Sequence, residues 1–254
     1  MTDMFSLQGK RVLVTGGTRG IGRAISMRFA RAGSEVIANY VRDPKSAETL
    51  SSEAAEEGLR IDLCRADLTS PKGMDQIVEH VQGRFATLST LVHCAATGVH
   101  RPLEQLTLRH FDWTFALNTR AFFDLVLRLV PRFDAQGASV LALSSDGATR
   151  AIPQYTVVGA SKGALEAMVR HLAVELAPRG IRVNTLSCGS VLTEAWKSMP
   201  DADKRLSDTG RRSPLGRLVT LDEVAWSAQF LCSDAASGIV GQALVVDGGV
   251  RIVA

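Results

Sequence analysis

The sequence predicts a doubly wound α/β domain built on a parallel, seven-stranded sheet. Seven short β-rich apolar runs alternate with longer amphipathic or alanine-rich stretches from one end of the chain to the other. Strict alternation implies βαβ units with right-handed crossovers, and therefore a parallel sheet covered by helices on both faces. No composition break, repeat or low-complexity linker divides the 254 residues, so residues 1–254 are predicted to form a single domain.

Strands are predicted where aliphatic and β-branched residues form a short run. These runs span residues 11–15, 35–40, 60–65, 90–94, 139–144, 182–186 and 243–246. Helices are predicted where a longer stretch is amphipathic or rich in alanine. These stretches span residues 21–32, 46–57, 73–84, 108–130, 160–176 and 221–232. In this order one helix crosses between each strand and the next.

One segment, residues 194–217, does not fit the alternation. It follows the sixth predicted strand, contains two prolines and two glycines, and carries six basic and four acidic side chains. A long insertion in a compact domain is usually an active-site lid or a mobile surface loop. Because this one leaves the carboxyl end of a strand, where ligands bind in this fold class, it is predicted to act as a lid.

Composition argues against several classes of function. The 29 basic and 26 acidic residues give a net charge of +3, which is too balanced to indicate nucleic-acid binding. No apolar run approaches the length of a membrane span and no signal peptide is visible, so a cytoplasmic protein without membrane contact is expected. The four cysteines and five histidines are scattered, which predicts reduced core thiols and no metal site.

The first predicted strand runs directly into a glycine-rich turn that opens a helix. The turn reads Thr15-Gly16-Gly17-Thr18-Arg19-Gly20-Ile21-Gly22. Glycines let the backbone come close to a pyrophosphate, and the helix N-terminus offers free N–H groups and a partial positive charge. At this position the turn predicts a Rossmann dinucleotide site, with a tight turn that binds no ligand as the alternative.

The end of the second predicted strand indicates which dinucleotide binds. An NAD site usually has an acidic residue there that accepts a hydrogen bond from the ribose. This chain has Asn39-Tyr40-Val41-Arg42 instead, and Arg19 lies in the glycine turn. Two guanidinium groups can bind a 2′-phosphate through charge-assisted hydrogen bonds, which favours NADP. Ordinary surface charge is the alternative explanation for both arginines.

Six motifs occur in the order found in the short-chain dehydrogenase/reductase superfamily, and the chain resembles that superfamily over nearly its whole length. The motifs are the glycine turn, Asp67-Leu68, Asn118, Ser144-Ser145, Lys162 and Asp247-Gly248-Gly249. The resemblance implies contacts to the cofactor NADPH from Gly16, Thr18, Arg19, Gly20, Ile21, Gly22, Asn39, Arg42, Asp67, Leu68, Ala95, Lys162, Gly189, Val191 and Thr193.

The spacing of tyrosine and lysine is unusual for the superfamily. Its members usually have a tyrosine four residues before the lysine, but that position is Val158 here. The chain has two tyrosines, and Tyr40 ends the second strand, so Tyr155 is the catalytic candidate in a Tyr-x6-Lys arrangement. This spacing resembles the type III, NADPH-dependent enoyl-acyl carrier protein reductases. If the segment is helical, the two Cα atoms lie roughly 10 Å apart along the axis.

The resemblance also implies roles for four catalytic candidates. Lys162 would bind the nicotinamide ribose and favour the tyrosinate form of Tyr155, which would donate to the enolate oxygen as it forms. Asn118 would support a water chain, or alternatively relieve a helix kink. Ser145 would line the substrate pocket or act as an extra donor.

Two departures from the superfamily pattern affect the cofactor site. The chain has His93-Cys94-Ala95-Ala96 where Asn-Asn-Ala-Gly is usual, so the usual side-chain hydrogen bonds of this motif are lost or replaced. It has Cys188-Gly189 where Pro-Gly is usual. These changes affect the fine geometry expected for the cofactor, and the predicted fold is unchanged.

The predicted function is hydride transfer from NADPH to the β-carbon of a 2-enoyl thioester. The acyl group would be carried by an acidic acyl carrier protein or by CoA, in fatty-acid or polyketide-like synthesis. The alternatives are an NADPH-dependent 3-oxoacyl (carbonyl) reductase and a catalytically silent NADP-binding assembly protein. A homotetramer is expected, because the helices predicted at 108–130 and 160–176 carry apolar residues on more than one face.

Overall fold

A computed structural model of the protein describes residues 3–193 and 202–253. The strands are β1 (Arg11–Thr15), β2 (Glu35–Tyr40), β3 (Ile61–Arg65), β4 (Thr90–His93), β5 (Ala138–Ser145), β6 (Ile181–Cys188) and β7 (Ala243–Val246). They form one parallel sheet in the order β3-β2-β1-β4-β5-β6-β7. The strand order reverses between β1 and β4, and open α/β sheets bind ligands at such a point. The predicted fold class is confirmed.

Helices connect the strands on both faces of this sheet. They are α1 (Gly20–Arg31), α2 (Pro44–Glu56), α3 (Pro71–Arg84), α4 (Leu108–Phe115), α5 (Ala121–Leu129), α6 (Thr156–Leu176), α7 (Ala202–Arg212) and α8 (Leu221–Cys232). None of the helices in the described part of the chain has the length and apolar character needed to cross a membrane.

Four helices begin earlier than the apolar pattern predicts, by one residue in α1, by two in α2 and α3 and by four in α6, which starts at Thr156 rather than at residue 160. Capping residues set the start of α2 and α3. Asp43 accepts a hydrogen bond from the backbone N–H of Ser46, and Ser70 accepts one from Gly73. In both helices a proline follows the cap at the first helical position, where its missing N–H costs nothing. The predicted starts at residues 46 and 73 therefore lie two residues inside the observed helices.

Two apolar clusters cover the two faces of the sheet. Alternate residues of β1 divide between them, with Leu13 in one cluster and Val12 and Val14 in the other. The Leu13 cluster packs under α3, α5 and α6, and the second cluster packs under α1 and α8. This division follows from the two-residue period of a strand.

The helix predicted over residues 108–130 is not continuous. Residues Ala116–Arg120 form a single π-helical turn between α4 and α5, and Val130–Arg132 form a 3₁₀ turn. A π turn inserts one extra residue into a helix and often marks a functional site. Asn118 lies in this turn, and its hydrogen bonds to Thr97 and Ser161 explain the position of the turn.

The segment 194–217 contains the helix α7 and is therefore not an irregular loop in its described part. Residues 194–201, including Glu194, Lys197 and Asp201, lie outside the described residues, as do the side chains of Lys204 and Arg205. After α7, the Ser213 hydroxyl donates to the Gly248 carbonyl, which ties the end of the segment to the loop after β7. The lid role remains a prediction.

Candidate active site

Two adjoining cavities lie at the carboxyl edge of the sheet. The first, of about 350 Å³, lies over the ends of β1, β2 and β4, and the second, of about 540 Å³, lies beside the ends of β5 and β6. Ile21 and Thr193 line both cavities. The two therefore meet at the N-terminus of α1 and the segment that follows β6.

The glycine turn is shaped for close approach of a phosphate. Gly16 and Gly20 have φ angles of +62° and +52°, which only glycine adopts readily. A Cβ atom on Gly22 would lie 2.8 Å from the carbonyl carbon of Gly16, closer than any van der Waals contact. Arg19 caps α1 with no side-chain hydrogen bond, so the first helical N–H groups remain open to an anion. The turn fits a dinucleotide pyrophosphate.

Most of the residues predicted to bind the cofactor line the first cavity. Gly189 and Val191 line the second cavity instead, and Lys162 lies outside both linings and is buried. The first cavity contains Gly16, Thr18, Arg19, Gly20, Ile21, Gly22, Asn39, Arg42, Asp67, Leu68, Ala95 and Thr193.

The glycine turn places Arg19, and the segment after β2 places Arg42, on the wall of the first cavity. Asn39 also lines it, but its side-chain amide donates to the carbonyls of Cys64 and Ala66 and so ties β2 to β3. Asp43 is an acid at this cavity that sequence reasoning missed. Its carboxylate accepts two hydrogen bonds from Ser46, which hold its pKa below the usual range and commit it to capping α2.

His93 replaces the lost asparagine with a buried hydrogen-bond network. Its Nε2–H donates to the Leu117 carbonyl, and its Nδ1 accepts from the Thr15 hydroxyl. That hydroxyl oxygen in turn accepts from the backbone N–H groups of Cys94 and Ala95. Burial lowers the pKa of His93 to about 3, so the ring is neutral at physiological pH. The network fixes the loop after β4 at the cofactor cavity.

Lys162 lies on α6 with only 6% of its surface exposed. Its Nζ donates to the Leu143 carbonyl at 2.7 Å, and its remaining donors have no partner among the described residues. Burial lowers its pKa to about 8, opposed by the nearby acidic groups of Cys94, Cys188 and Glu166. The ammonium group is therefore charged at neutral pH and has donors left for ligand hydroxyls.

Tyr155 and Ser145 lie together at the second cavity. The Tyr155 Oη and the Ser145 Oγ are 3.2 Å apart, within hydrogen-bond distance. Tyr155 is the N-cap of α6 and therefore precedes the helix, and its ring centroid lies 5.0 Å from that of His100, which sequence reasoning also missed. Burial raises the pKa of the Tyr155 phenol, the opposite of the predicted direction. The phenol is therefore protonated and able to donate.

Asn118 clamps the loop after β4 against α6. Its Oδ1 accepts from the Thr97 N–H at 2.8 Å, and its Nδ2 donates to the Thr97 carbonyl and to the Ser161 hydroxyl. The side chain is fully buried. The π turn aims this amide across the molecule, so Asn118 fixes the wall of the cofactor cavity.

A buried hydrogen-bonded pair and a half-buried ion pair flank Ser145, and no sequence motif indicated either. The Ser144 hydroxyl donates to Glu166 at 2.6 Å inside the fold. Arg251, near the chain end, donates to Asp146 and to the Ser187 hydroxyl, both at 3.0 Å. Burial raises the pKa of Asp146, and Arg251 opposes that rise. The partners lie far apart in sequence, so only the tertiary structure pairs them.

The second cavity combines a donor pair with apolar and charged walls. Ser145 and Tyr155 stand beside Ala151, Ile152, Pro153, Val191 and Val250, while Arg150, Arg212 and Asp208 add charge. The described part of the chain contains no group of three acidic, histidine or cysteine side chains placed to hold a metal. The arrangement can donate hydrogen bonds to an oxygen that gains negative charge.

Comparison with known proteins agrees with this geometry. Residues 16–251 match the family model described as enoyl-(acyl carrier protein) reductase. The chain is 35% identical over 244 residues to the 1-cyclohexenylcarbonyl-CoA reductase of Streptomyces collinus, which covers 95% of this chain and 87% of that protein. It is 31% identical over 251 residues to the 7alpha-hydroxysteroid dehydrogenase of Escherichia coli K12, covering 98% and 96% of the two chains.

A solved structure shares the fold over its whole length. The L-sorbose reductase of Gluconobacter frateurii, complexed with NADPH and L-sorbose, superposes with a TM-score of 0.91 at 27% identity, covering 99% of this chain and 100% of that one. The predicted nicotinamide dinucleotide site agrees with the cofactor that this relative holds. The chain is therefore an oxidoreductase that belongs to the short-chain dehydrogenase/reductase superfamily.

Proposed function

We propose that this protein is an NADPH-dependent reductase of 2-enoyl thioesters. The observation that carries the proposal is the position of its phenol. Tyr155 lies just before α6, and Val158, three residues later, is buried where the superfamily usually has its tyrosine. The acid is thus displaced from Lys162 toward the second cavity.

A displaced acid suits conjugate reduction better than carbonyl reduction. In a ketone, the carbon that is reduced is bonded to the oxygen that needs a donor, so both must lie close together. In a 2-enoyl thioester, the reduced β-carbon and the carbonyl oxygen that gains charge are several bonds apart. An acid that lies farther from Lys162, at the second cavity, can therefore reach the carbonyl oxygen of a 2-enoyl thioester while hydride is added to the β-carbon.

The proposed roles follow from the hydrogen bonds. Tyr155 and Ser145, whose oxygens are 3.2 Å apart, both donate to the thioester carbonyl oxygen, and Tyr155 gives up its proton as charge develops there. Lys162 uses its remaining donors on the ribose hydroxyls, while Arg19 and Arg42 bind the 2′-phosphate. Bound NADPH supplies the hydride. The Streptomyces relative, whose name states a cyclohexenylcarbonyl thioester, supports this substrate class.

Carbonyl reduction is a second candidate, favoured by a specific observation. The Ser145–Tyr155 pair brings two donors to one point, and such a pair serves a ketone oxygen as well as an enolate oxygen. A hydroxysteroid dehydrogenase and a sorbose reductase are among the relatives. The two candidates differ in which carbon of the substrate is reduced.

Paired substrates test the proposal. We would follow NADPH oxidation with a 2-enoyl and a 3-oxoacyl thioester of equal chain length on the same carrier. The proposal expects the enoyl substrate to have the higher kcat/KM, and preference for the 3-oxoacyl substrate would favour the second candidate.

Tyr155→Phe is expected to lower turnover about 100-fold with little change in NADPH affinity. Lys162→Ala should lower both, and small equal effects would contradict the assigned roles.

The carrier is proposed to be an acyl carrier protein that approaches α7. Arg212 lines the second cavity, while Arg211 pairs with Asp208. Replacing Lys204, Arg205, Arg211 and Arg212 with glutamine should raise KM for carrier-bound substrate and weaken its salt dependence, because basic side chains steer an acidic partner. A short soluble thioester is the control. Equal losses for both substrates would show that α7 acts only as a lid.

A further inference from the structure

The backbone before α6 turns sharply to present Tyr155. Gln154 has a φ of +63°, the one positive φ of a non-glycine residue in the described part of the chain. The Tyr155 N–H donates back to the Ile152 carbonyl, and the Tyr155 carbonyl accepts from the Gly159 N–H at 2.7 Å. These bonds fix the backbone of Tyr155. Its ring orientation must come from the side chains and backbone around it.

The ring of Tyr155 lies directly against Gly147. A Cβ atom added to Gly147 would lie 2.5 Å from Cδ1 of Tyr155 and closer still to Cε1. Carbon atoms in contact are normally about 3.5–4.0 Å apart, so no larger residue fits beside the ring as it stands. Gly147 belongs to the short turn Asp146–Ala148 that follows Ser145, the hydrogen-bond partner of the phenol.

We propose that Gly147 is a positioning residue that seats the Tyr155 ring so that its hydroxyl meets Ser145. The inference rests on the proposed role of Tyr155 as the acid. Gly147 has no positive φ, so its backbone conformation is open to any residue. The Tyr155 ring is the contact that requires glycine at this position, because the next atom that an added Cβ would meet, the Gly159 Cα, lies 3.4 Å away. A tyrosine at the start of α6 therefore needs a glycine two residues after Ser145, because only glycine leaves space for its ring.

Gly159 differs from Gly147 in what an added methyl group would meet. A Cβ on Gly159 would lie 2.8 Å from the Gly147 carbonyl oxygen, which is backbone, and 3.4 Å from the Tyr155 ring. A substitution there strains the backbone packing of α6 on the turn. A substitution at Gly147 meets the ring first, and a side chain can rotate away. Gly147→Ala therefore displaces the phenol and leaves the fold intact.

Activity and binding measurements on Gly147→Ala form the first test. We expect kcat with the enoyl thioester to fall about 10- to 100-fold, because a small displacement of a reacting group costs this much. NADPH affinity and the melting temperature should stay close to wild type. Gly83→Ala is the matched control, because an added Cβ there meets nothing within 4 Å and the site lies on α3. It should leave kcat unchanged.

A double-mutant cycle separates a positioning role from a structural one. If Gly147 acts through the phenol, adding Gly147→Ala to Tyr155→Phe should cost little further activity. Fluorotyrosine labelling gives a readout without turnover, since the chain has two tyrosines and Tyr40→Phe leaves the signal of Tyr155 alone. The fluorine resonance of Tyr155 should shift in Gly147→Ala and stay in place in Gly83→Ala.

The outcomes separate this inference from the proposed function. Loss of activity in Tyr155→Phe with none in Gly147→Ala, or with an unmoved fluorine resonance, overturns the role of Gly147 and leaves the proposed function standing. Full additivity of the two substitutions also overturns it. Full activity in Tyr155→Phe overturns the proposed role of the phenol and the inference together.

Discussion

At the scale of single residues, burial sets the charge of the groups under the cofactor cavity. His93 and Lys162 both lose proton affinity because water is excluded from them, but their hydrogen bonds differ. The neutral ring of His93 has partners on both nitrogens, whereas Lys162 has one partner among the described residues, the Leu143 carbonyl. His93 is therefore a fixed structural group, whereas Lys162 is held in place by one hydrogen bond and has N–H donors that can bind a ligand.

Burial of Lys162 predicts a pH-dependent stability in the absence of NADPH. The pKa of this side chain is about 8 in the fold and 10.5 in the unfolded chain, so between these values the unfolded chain binds more protons. Stability should rise with pH across that window and gain about 3 kcal/mol relative to Lys162→Met. Urea unfolding of both proteins at several pH values measures it.

The comparison with Lys162→Met cancels the opposing effect of Cys232, because burial raises the pKa of this thiol to about 12 and lowers stability at high pH in both proteins alike. Burial also raises the pKa of Cys94, to about 11, and that of Cys188, but the charge of Lys162 opposes both rises. The difference between the two proteins therefore reports Lys162 together with its interaction with these two thiols. A difference that stays flat with pH would show that the ammonium keeps its ordinary pKa in the fold.

Arg19 and Arg42 predict a preference for NADPH over NADH. Arg19 of the glycine turn and Arg42 after β2 both line the first cavity, and charge-assisted bonds to a phosphate are each worth about 1.5–3 kcal/mol. Reversing both charges with glutamate should raise KM for NADPH at least 10-fold and swing the preference toward NADH. Arg132→Glu, on the 3₁₀ turn after α5 and outside the cavity lining, is the control. Equal use of both cofactors by the wild type would refute the assignment of the two guanidinium groups to a 2′-phosphate.

Among the secondary-structure elements, the π turn between α4 and α5 interrupts the regular helix and allows Asn118 to form hydrogen bonds outside it. Asn118 makes its three hydrogen bonds to Thr97 and Ser161, across the molecule from its own helix. A straight helix would rotate this amide by the angle of one residue and lose the contact with the loop after β4. The π turn therefore lets Asn118 hold Thr97, which forms part of the wall of the first cavity.

Asn118→Leu is expected to lower the free energy of unfolding by about 3 kcal/mol, because it leaves the N–H and the carbonyl of Thr97 without their partner and removes one donor from the buried Ser161 hydroxyl. Ser161→Ala removes that one bond of Asn118 and the bond from the Ser161 hydroxyl to the Val158 carbonyl, and should cost about 1–2 kcal/mol. Denaturant unfolding followed by circular dichroism gives both values. A loss in Asn118→Leu no larger than that in Ser161→Ala would contradict a stabilising role of the Thr97 contacts.

At the scale of the whole molecule, α4 and α5 leave apolar side chains uncovered. Leu108 is 82% exposed and Leu127 is 61% exposed, with Phe111 and Phe123 also on the surface. Phe122 and Val126, which lie in the same apolar stretch of the sequence, are buried in the core instead. Apolar side chains gathered on one surface usually mark an interface with another chain.

This surface supports the prediction of a homotetramer. Sedimentation at micromolar concentration should give the mass of four chains, and Phe123→Asp with Leu127→Asp should lower it, because burying these charges in an interface is costly. Thermal unfolding of the variant should show that each subunit still folds. A wild-type protein that sediments as a monomer would contradict the prediction.

The first and last residues of some strands and helices could be predicted from the sequence, and those of others could not. The strand β1 and the helix α8 were predicted with both ends correct, because their apolar periodicity is clear and the residues next to them end it. The starts of α2 and α3 were missed because a cap and a proline act outside the apolar pattern. The π turn was missed because it leaves no local signal in residues 108–130.

The alternation of strands and helices, the glycine turn and the pair of tyrosine and lysine can all be predicted from the amino-acid sequence, because they depend on local spacing. Which groups meet around them depends on how the elements pack against one another. Arg251 reaches Asp146 across 105 residues, and Gly147 receives the ring of Tyr155. Such contacts form between segments that the chain brings together after each element exists, so no period or motif along the sequence encodes them.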